Sequence, residues 1–325
     1  MFRRRPPAAW LLLGVTATLF SGCGLFEDQA SPPTSGSKPT TANRPTPLAA
    51  AEPEVLDAGA APRQELRLRL TQGAKATIAL TVDLNVTQQS AGTDQALNGP
   101  PVTETIEFTV GKVQGDHAEI SFRFADVAVD RTGSGLTDAE YLTVTADTQA
   151  LIGLGGRGQV TDRGVFSNLT YDHSPDLDPA VQASLRQFEG QVDTLTPTLP
   201  EEPLGVGARW QATDTITASG ISVDQVTTYE VTELTAEQVS YTAVVKQSAA
   251  AQDADLADLP VGTTARLLSA DLTGSTTGTH SFTGLIASGI STLKGVQVID
   301  LSQGKVAPVR LNQRLDLTII VRSAD

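Results

Sequence analysis

The sequence predicts a mainly β fold: curled antiparallel sheet, in one reading built as two related halves, with one amphipathic helix packed on it. Three observations lead there. Apolar residues alternate with polar or small ones at period two, as at Ile78, Leu80, Val82, Leu84 and Val86, which is the habit of antiparallel strands with one buried and one wet face. Turn-forming clusters such as Asn98-Gly99-Pro100-Pro101 and Gln114-Gly115-Asp116 separate the runs. Only one stretch carries a clean helical period.

Taken in order, the strand-like runs begin at Leu66, Leu68 and Leu70, which alternate with Arg67 and Arg69. The run through Val86 follows, then Ile106-Phe108-Val110, Ile120-Phe122-Phe124, and Val127-Val129. Asp162-Arg163-Gly164 sits between Val160 and Phe166 as a hairpin turn. The helix is then read from Val181, Leu185, Phe188, Val192 and Leu195, one apolar stripe at i, i+4, i+7, i+11 and i+14. Asp178 stands as its N-cap and Pro179 at the first helical position; Pro197 and Pro200 end it. Strands resume at Trp210, Ile216, Ile221-Val223, Tyr229-Val231 and Tyr241-Ala243-Val245. A helical or loop piece covers Ala249 to Pro260, and the end reads as long strands at Phe282–Ile290, Val296–Leu301 and Leu315–Val321.

A shift of 121 residues lays Phe108 on Tyr229, Val110 on Val231, Val113 on Leu234 and Ile120 on Tyr241. Gly73-Ala74-Lys75 matches Gly207-Ala208-Arg209 at a different shift. One reading is an internal repeat; the other is that any two hairpins with similar turns look alike. The expected organisation is residues 1–22 as a signal peptide, 23–63 as lipidated N-terminus and tether, 64–175 as the first β-rich half, 176–200 as helix and connection, and 201–325 as the second half.

The amino terminus gives the location. Arg3, Arg4 and Arg5 precede an apolar run from Ala8 to Phe20, and Ser21-Gly22 lead to Cys23, the only cysteine of the 325-residue chain. A basic start, a short apolar core and a small-residue cleavage site make a secretory signal. The run is too short for a transmembrane helix, which needs about 20 apolar residues. With Cys following the small pair, the segment resembles a bacterial lipoprotein signal, although Phe20 stands where such signals usually carry Leu. The resemblance implies that Cys23 takes a diacylglyceryl group and further acyl chain such as palmitate, becoming the mature N-terminus on the extracytoplasmic face of the membrane. Two or three chains anchor stably where one does not. Residues from about Asp28 to Pro62 are rich in Pro, Ser, Thr and Ala with no apolar period, a composition that reads as a tether. About 40 such residues reach roughly 35 Å.

The formal charge is −14, and losing the three arginines with the signal makes the mature chain more acidic still. An acidic surface repels phosphate backbones and anionic head groups, which argues against nucleic acid and against electrostatic membrane binding. Aromatic residues make up 5% of the chain, too few for the girdles of a transmembrane barrel. With Cys23 committed to lipid, no disulfide is expected.

Pro203-Leu204-Gly205-Val206-Gly207-Ala208-Arg209-Trp210, together with the lipobox and the Pro/Thr-rich tether, resembles an uncharacterised family of secreted actinobacterial lipoproteins. That resemblance implies an envelope location and brings no activity with it. A looser likeness is to envelope lipoproteins that carry lipids in a curled antiparallel sheet closed by helices.

No catalytic constellation is found. Gly153-Leu154-Gly155-Gly156-Arg157-Gly158 matches G-x-G-x-x-G, but the dinucleotide fingerprint needs a following helix, and Gln159-Val160-Thr161 reads as strand. His117 sits in a turn, His280 in a Thr/Gly/Ser-rich stretch, and His173 within Asp172-His173-Ser174-Pro175-Asp176-Leu177-Asp178. Those oxygens match no calcium-loop spacing, and neither do Asp253, Asp255 and Asp258. The expectation is no enzyme, no cofactor and no metal. The chain reads as a lipid-anchored binding module for an apolar ligand such as a lipid. The alternative is a structural or protein-interaction lipoprotein of the envelope with a dry core.

Overall fold

The alternation written into the sequence becomes the two faces of one antiparallel sheet. The computed structural model describes residues 52–90, 92–172, 181, 185, 196–218, 221–254, 256, 259, 262–304 and 307–324. Its strands are β1 (Glu54–Asp57), β2 (Lys75–Ser90), β3 (Thr93–Ala96), β4 (Val102–Gln114), β5 (His117–Val129), β6 (Gly155–Thr161) and β7 (Phe166–Tyr171). They continue with β8 (Arg209–Ala218), β9 (Ile221–Leu234), β10 (Gln238–Ala249), β11 (Gln252–Ala254), β12 (Thr263–Ser281), β13 (Ser288–Gln303) and β14 (Val309–Ser323). A helix, α1 (Asp138–Gln149), lies between β5 and β6. The strand order is β1-β8-β9-β10-β12-β13-β14-β2-β4-β5-β6-β7, with β11 beside β12 and β3 beside β2.

The sheet is curled but not closed, with β1 and β7 at its two ends. Leu68 donates its N–H to the Asp162 carbonyl in the β6–β7 turn, and Arg69 donates to the Phe282 carbonyl in the β12–β13 turn. Between β13 and β6 the order runs through four strands, so a flat sheet would hold those hairpins about 24 Å apart at 4.7–4.9 Å per strand. Adjacent residues, about 3.8 Å apart, reach both only because the sheet rolls over. Close backbone approach helps: a Cβ on Gly295 would run into the Asp271 carbonyl of β12.

Two hydrophobic clusters result. The larger lines the inner face, from Ile78, Leu80, Ile106, Phe122 and Phe124 to Leu267, Leu293, Ile299, Leu315 and Leu317. The smaller closes one end, where Leu66, Leu68, Leu199, Leu204, Trp210, Val239 and Phe282 pack together.

The two halves share one register. Val110 pairs with Ile120 and Val113 with Ala118, across a bulge; Val231 pairs with Tyr241 and Leu234 with Val239, across a bulge at the same place. All four positions differ by 121. Ala76 pairs with Phe108 as Trp210 pairs with Tyr229. Gly73 donates to Val110 and Val110 to Ala74, just as Gly207 donates to Val231 and Val231 to Ala208. Gly73 and Gly207 both hold positive φ, at 84° and 79°, where a side chain would be strained.

Several expectations need correction. The tether does not run to residue 63: β1 pairs with β8, so residues 52–63 belong to the folded part. Leu66 to Leu70 form no strand; they are an extended bridge between hairpins. Phe282–Ile290 is no single strand either, because residues 282–287 make the β12–β13 turn. The Thr/Gly/Ser-rich stretch before it is β12, the longest strand at 19 residues. Helix α1 was not expected. Of the expected helix over 178–195, Val181 and Leu185 are helical and buried in the main cluster; its other residues, Asp178 and Pro179 among them, lie outside the described residues. So does Cys23.

Candidate functional site

The inner face of the sheet is where this fold can hold something. Cross-strand pairing sets its residues in rows. In one row Ala243, Thr276, Ser291, Ile319, Val82, Val102 and Val129 succeed one another from β10 to β5. In this row and its neighbours Val102, Val245, Leu84, Ile319 and Thr276 are only half-buried, although they point to the core side. Glycines in β12 and β13 answer to close approach: a Cβ on Gly274 would strike the Thr292 carbonyl, one on Gly278 the Tyr241 ring, and one on Gly289 the Thr277 carbonyl. The half-buried Leu84, Val102, Val245 and Ile319 leave an accessible apolar strip, a shallow trough, along the middle of the curl.

Polar groups on this face are few and mostly satisfied. Gln297 donates to Gln313, and Gln313 donates to Gln88 at 2.9 Å, a ladder over three strands. Gln247 donates to Gln225 at 2.7 Å. Thr276 and Ser291 share a hydrogen bond of 2.9 Å. Tyr229 and Tyr241 stack into the closed end with Trp210, whose ring lies 4.8 Å from Tyr229 and nearly parallel to it; burial pushes both phenols up.

Among the described residues two raised carboxyls lie on the inward side of their strands. Glu104 lies between Leu80 of β2 and Val127 of β5. It touches open space yet is enclosed by protein, as the wall of a trough should be, and burial alone pushes its carboxyl up to about 7. It has no hydrogen-bond or ionic partner among the described residues. Asp214 of β8, opposite Gln225, is also raised by burial. The lysines and arginines of the described strands, such as Arg123, Lys246, Arg266 and Lys294, are exposed. Several pair with carboxylates on the outer face: Arg123 with Glu107 at 3.0 Å, Lys294 with Asp316 at 2.7 Å, and Arg310 with Asp300 at 2.8 Å. Such exposed pairs are worth about 0–1 kcal/mol; they keep that face wet.

The two described histidines are not brought together. His117 is exposed and bonded to Asp116, which that contact holds below the usual carboxylate range. His280 is fully buried; its Nε2 donates to the Gly284 carbonyl at 3.2 Å, and its Nδ1 has no partner. Burial lowers its pKa to about 4, against the smaller opposing pull of Gly284. His173, Asp255 and Asp258 lie outside the described residues, and Asp253 is engaged by Arg266 at 3.0 Å. Among the described residues no group of three or more His, Cys, Asp or Glu could hold a metal ion. The G-x-G-x-x-G stretch runs into β6, as a strand. A groove of about 560 Å³ on the outer face, between β5, β6 and β7, is lined by both polar and apolar surface, and its Arg157 is already paired with Asp172 at 2.6 Å.

Pro203 to Trp210 proves structural. Gly205 sits where a Cβ would strike the Ala60 carbonyl, its N–H bonds Ala58, and the Trp210 indole donates to Thr198 at 3.0 Å. The motif locks β1 and the closed end together. Glu104 was missed from sequence, although an acid in register with Val102, Ile106 and Phe108 was a visible break in an apolar face.

No known family model matches the chain, and no curated protein matches it. Among solved structures it is similar to Ail, the attachment invasion locus protein of Yersinia pestis, at 8% identity over 78% of this chain and 100% of that one, with a TM-score of 0.13. An outer membrane channel from Pseudomonas putida F1 matches at 12% identity over 79% and 98%, TM-score 0.13. Pseudomonas aeruginosa OccK9 matches at 8% over 76% and 98%, TM-score 0.18. Scores this low carry neither fold nor function. The polarity of the faces also differs from that of a transmembrane barrel, whose outer face is the apolar one: here the inner face is.

Proposed function

We propose that the protein is an extracytoplasmic lipoprotein, anchored through acylated Cys23, whose curled sheet holds an apolar ligand such as a lipid. The observation that carries this reading is the trough itself. Leu84, Val102, Val245 and Ile319 are inward-facing yet half-buried, and a dry core of native density would leave no such surface. Apolar concave sites with a few polar groups are the usual form of a small-molecule site. The lipobox and tether support an anchored location, and no nucleic-acid partner fits the acidic surface. The reading includes no catalytic role.

The test is native mass spectrometry of the full chain carrying Cys23→Ser, which lacks the acyl acceptor, expressed in a bacterium and purified without detergent. A reproducible added mass matching a lipid is expected. A clean apoprotein mass, unchanged after incubation with envelope lipids, would sink the carrier reading and favour a structural or protein-interaction role.

A further inference from the structure

Glu104 is an acid placed where the scaffold gives it nothing to bind. The corresponding position in the second half, 121 residues on, is Gln225, and Gln225 accepts a hydrogen bond from Gln247. The first half differs through a second bulge: Ile106 pairs with Phe124 but Thr105 with Asp126, so Ala125 is skipped. Asp126, which is 121 residues before Gln247, is thereby turned outward and is exposed. Val127 takes its place opposite Glu104. The bulge has removed a polar neighbour and left the carboxyl facing the trough alone. Glu104 is only half-buried, so its carboxyl reaches the trough; an acid on the wall of an apolar space with no partner in the chain is placed to meet one that arrives from outside.

We propose that Glu104 is the polar recognition point of the trough, selecting an apolar molecule whose polar part is uncharged, an ester carbonyl or a hydroxyl, and rejecting anionic head groups. This rests on the ligand-carrier reading above and deepens it. An anionic head has no cation to meet, because the lysines and arginines of the described strands are exposed, and the second inward group, Asp214, is also an acid. A cationic head gains little, since an ion pair taken out of water recovers about what its members lose and leaves ammonium donors unsatisfied. An uncharged head costs far less to bury. With burial pushing the carboxyl up to about 7, Glu104 holds its proton in mildly acidic solution and can donate it to a carbonyl or accept from a hydroxyl. The cross-strand neighbours are Leu80 and Val127, and no charged or titratable described residue perturbs it. The proton on Glu104 is therefore the variable that pH changes.

The experiment uses the full Cys23→Ser chain, a fluorescent apolar reporter (N-phenyl-1-naphthylamine), and three competitors with the same chain: methyl oleate, oleate and oleylamine. Methyl oleate is expected to displace the reporter at a concentration at least tenfold below the other two at pH 6, and to bind about tenfold more weakly at pH 8, where Glu104 has lost its proton. Glu104→Gln, which keeps a donor and an acceptor, should retain the ester preference and lose its pH dependence. Glu104→Leu, matched to its aliphatic neighbours, should bind the reporter and lose the preference. Oleate or oleylamine binding as tightly as the ester, or an unchanged preference in Glu104→Leu, overturns the inference while leaving the carrier reading intact. A chain that binds neither reporter nor any competitor overturns both.

Discussion

Two rows of the same sheet, equivalent by the internal register, make the comparison that matters most. In the first half Leu80, Glu104 and Val127 lie side by side across β2, β4 and β5. In the second half Asp214, Gln225 and Gln247 lie side by side across β8, β9 and β10. Both rows put a polar side chain at the centre of an inward face. Only the second supplies it with a hydrogen bond, and only the first sets it between two aliphatic residues. One scaffold thus serves as satisfied core in one half and as an open polar point in the other. The difference traces to one extra residue in β5. A second contrast runs alongside: His280 stands 120 residues after Val160, in the same cross-strand position, His280 opposite Val239 and Val160 opposite Ala118. Both are fully buried, and only the histidine carries a polar atom that nothing meets.

The largest expected effect falls on the closed end, which belongs to the second half. Trp210 is fully buried and occupies the place that Ala76, only half-buried, occupies in the first half. Trp210→Ala should cost about 3–5 kcal/mol in urea unfolding, because it removes the Tyr229 stack and the Thr198 bond and leaves a cavity against Leu199 and Leu204. Ala76→Gly should cost about 1 kcal/mol or less. Equal losses would mean that the two ends carry the fold alike and that Pro203 to Trp210 is no special lock.

Next come the two buried titratable groups, whose pH signatures have opposite sign. His280 is held near 4 in the folded chain, against about 6.5 unfolded. The unfolded state therefore takes the proton first, and stability falls as pH drops from about 6.5 to 4, by about 3 kcal/mol. Glu104 is held near 7, against 4.5. Here the folded state keeps its proton longer, so stability falls as pH rises from about 4.5 to 7, by a similar amount. His280→Val should flatten the acid limb of the urea midpoint, and Glu104→Gln the neutral limb. If either variant leaves its limb unchanged, that group does not titrate as its burial requires.

Much of this was legible in sequence, and what was not has physical causes. Period-two alternation announces a strand wherever large apolar residues line the inner face, which is why β2, β4, β5, β9 and β10 could be read. It fails at β12, whose inner positions include Gly274, Thr276 and Gly278, because glycine is needed where the Thr292 carbonyl and the Tyr241 ring come too close for a side chain. Helix α1 is hidden from periodicity because it buries only Val144; its sequence signal is the Thr137–Glu140 capping box. The repeat was visible at both of its shifts, and pairing register turned a resemblance between hairpins into equivalence. The roll of the sheet was not legible, since it depends on bridges between residues nearly 100 or more apart, such as Leu68 to Asp162 and Arg69 to Phe282. Glu104 was readable as a misplaced acid; its lack of a partner was not, because that follows from a bulge whose position no local pattern marks.

The smallest effect tests the comparison most directly, by building the second half's pairing into the first. Glu104→Gln alone exchanges one unpartnered neutral group beside Val127 for another and should change stability by less than about 0.5 kcal/mol at pH 5, where Glu104 is still protonated. Val127→Gln alone sets two polar groups side by side without a matched amide pair. Both together reproduce the Gln225–Gln247 arrangement, and a double-mutant cycle on urea unfolding at pH 5 should give a favourable coupling of about 0.5–1.5 kcal/mol. The rebuilt first half would then be a satisfied core like the second, and it should lose its preference for an ester over a carboxylate because the recognition point has been tied down from within. Favourable coupling with an unchanged preference would separate the two roles, leaving the row a matter of packing and moving the recognition of ligand elsewhere on the inner face.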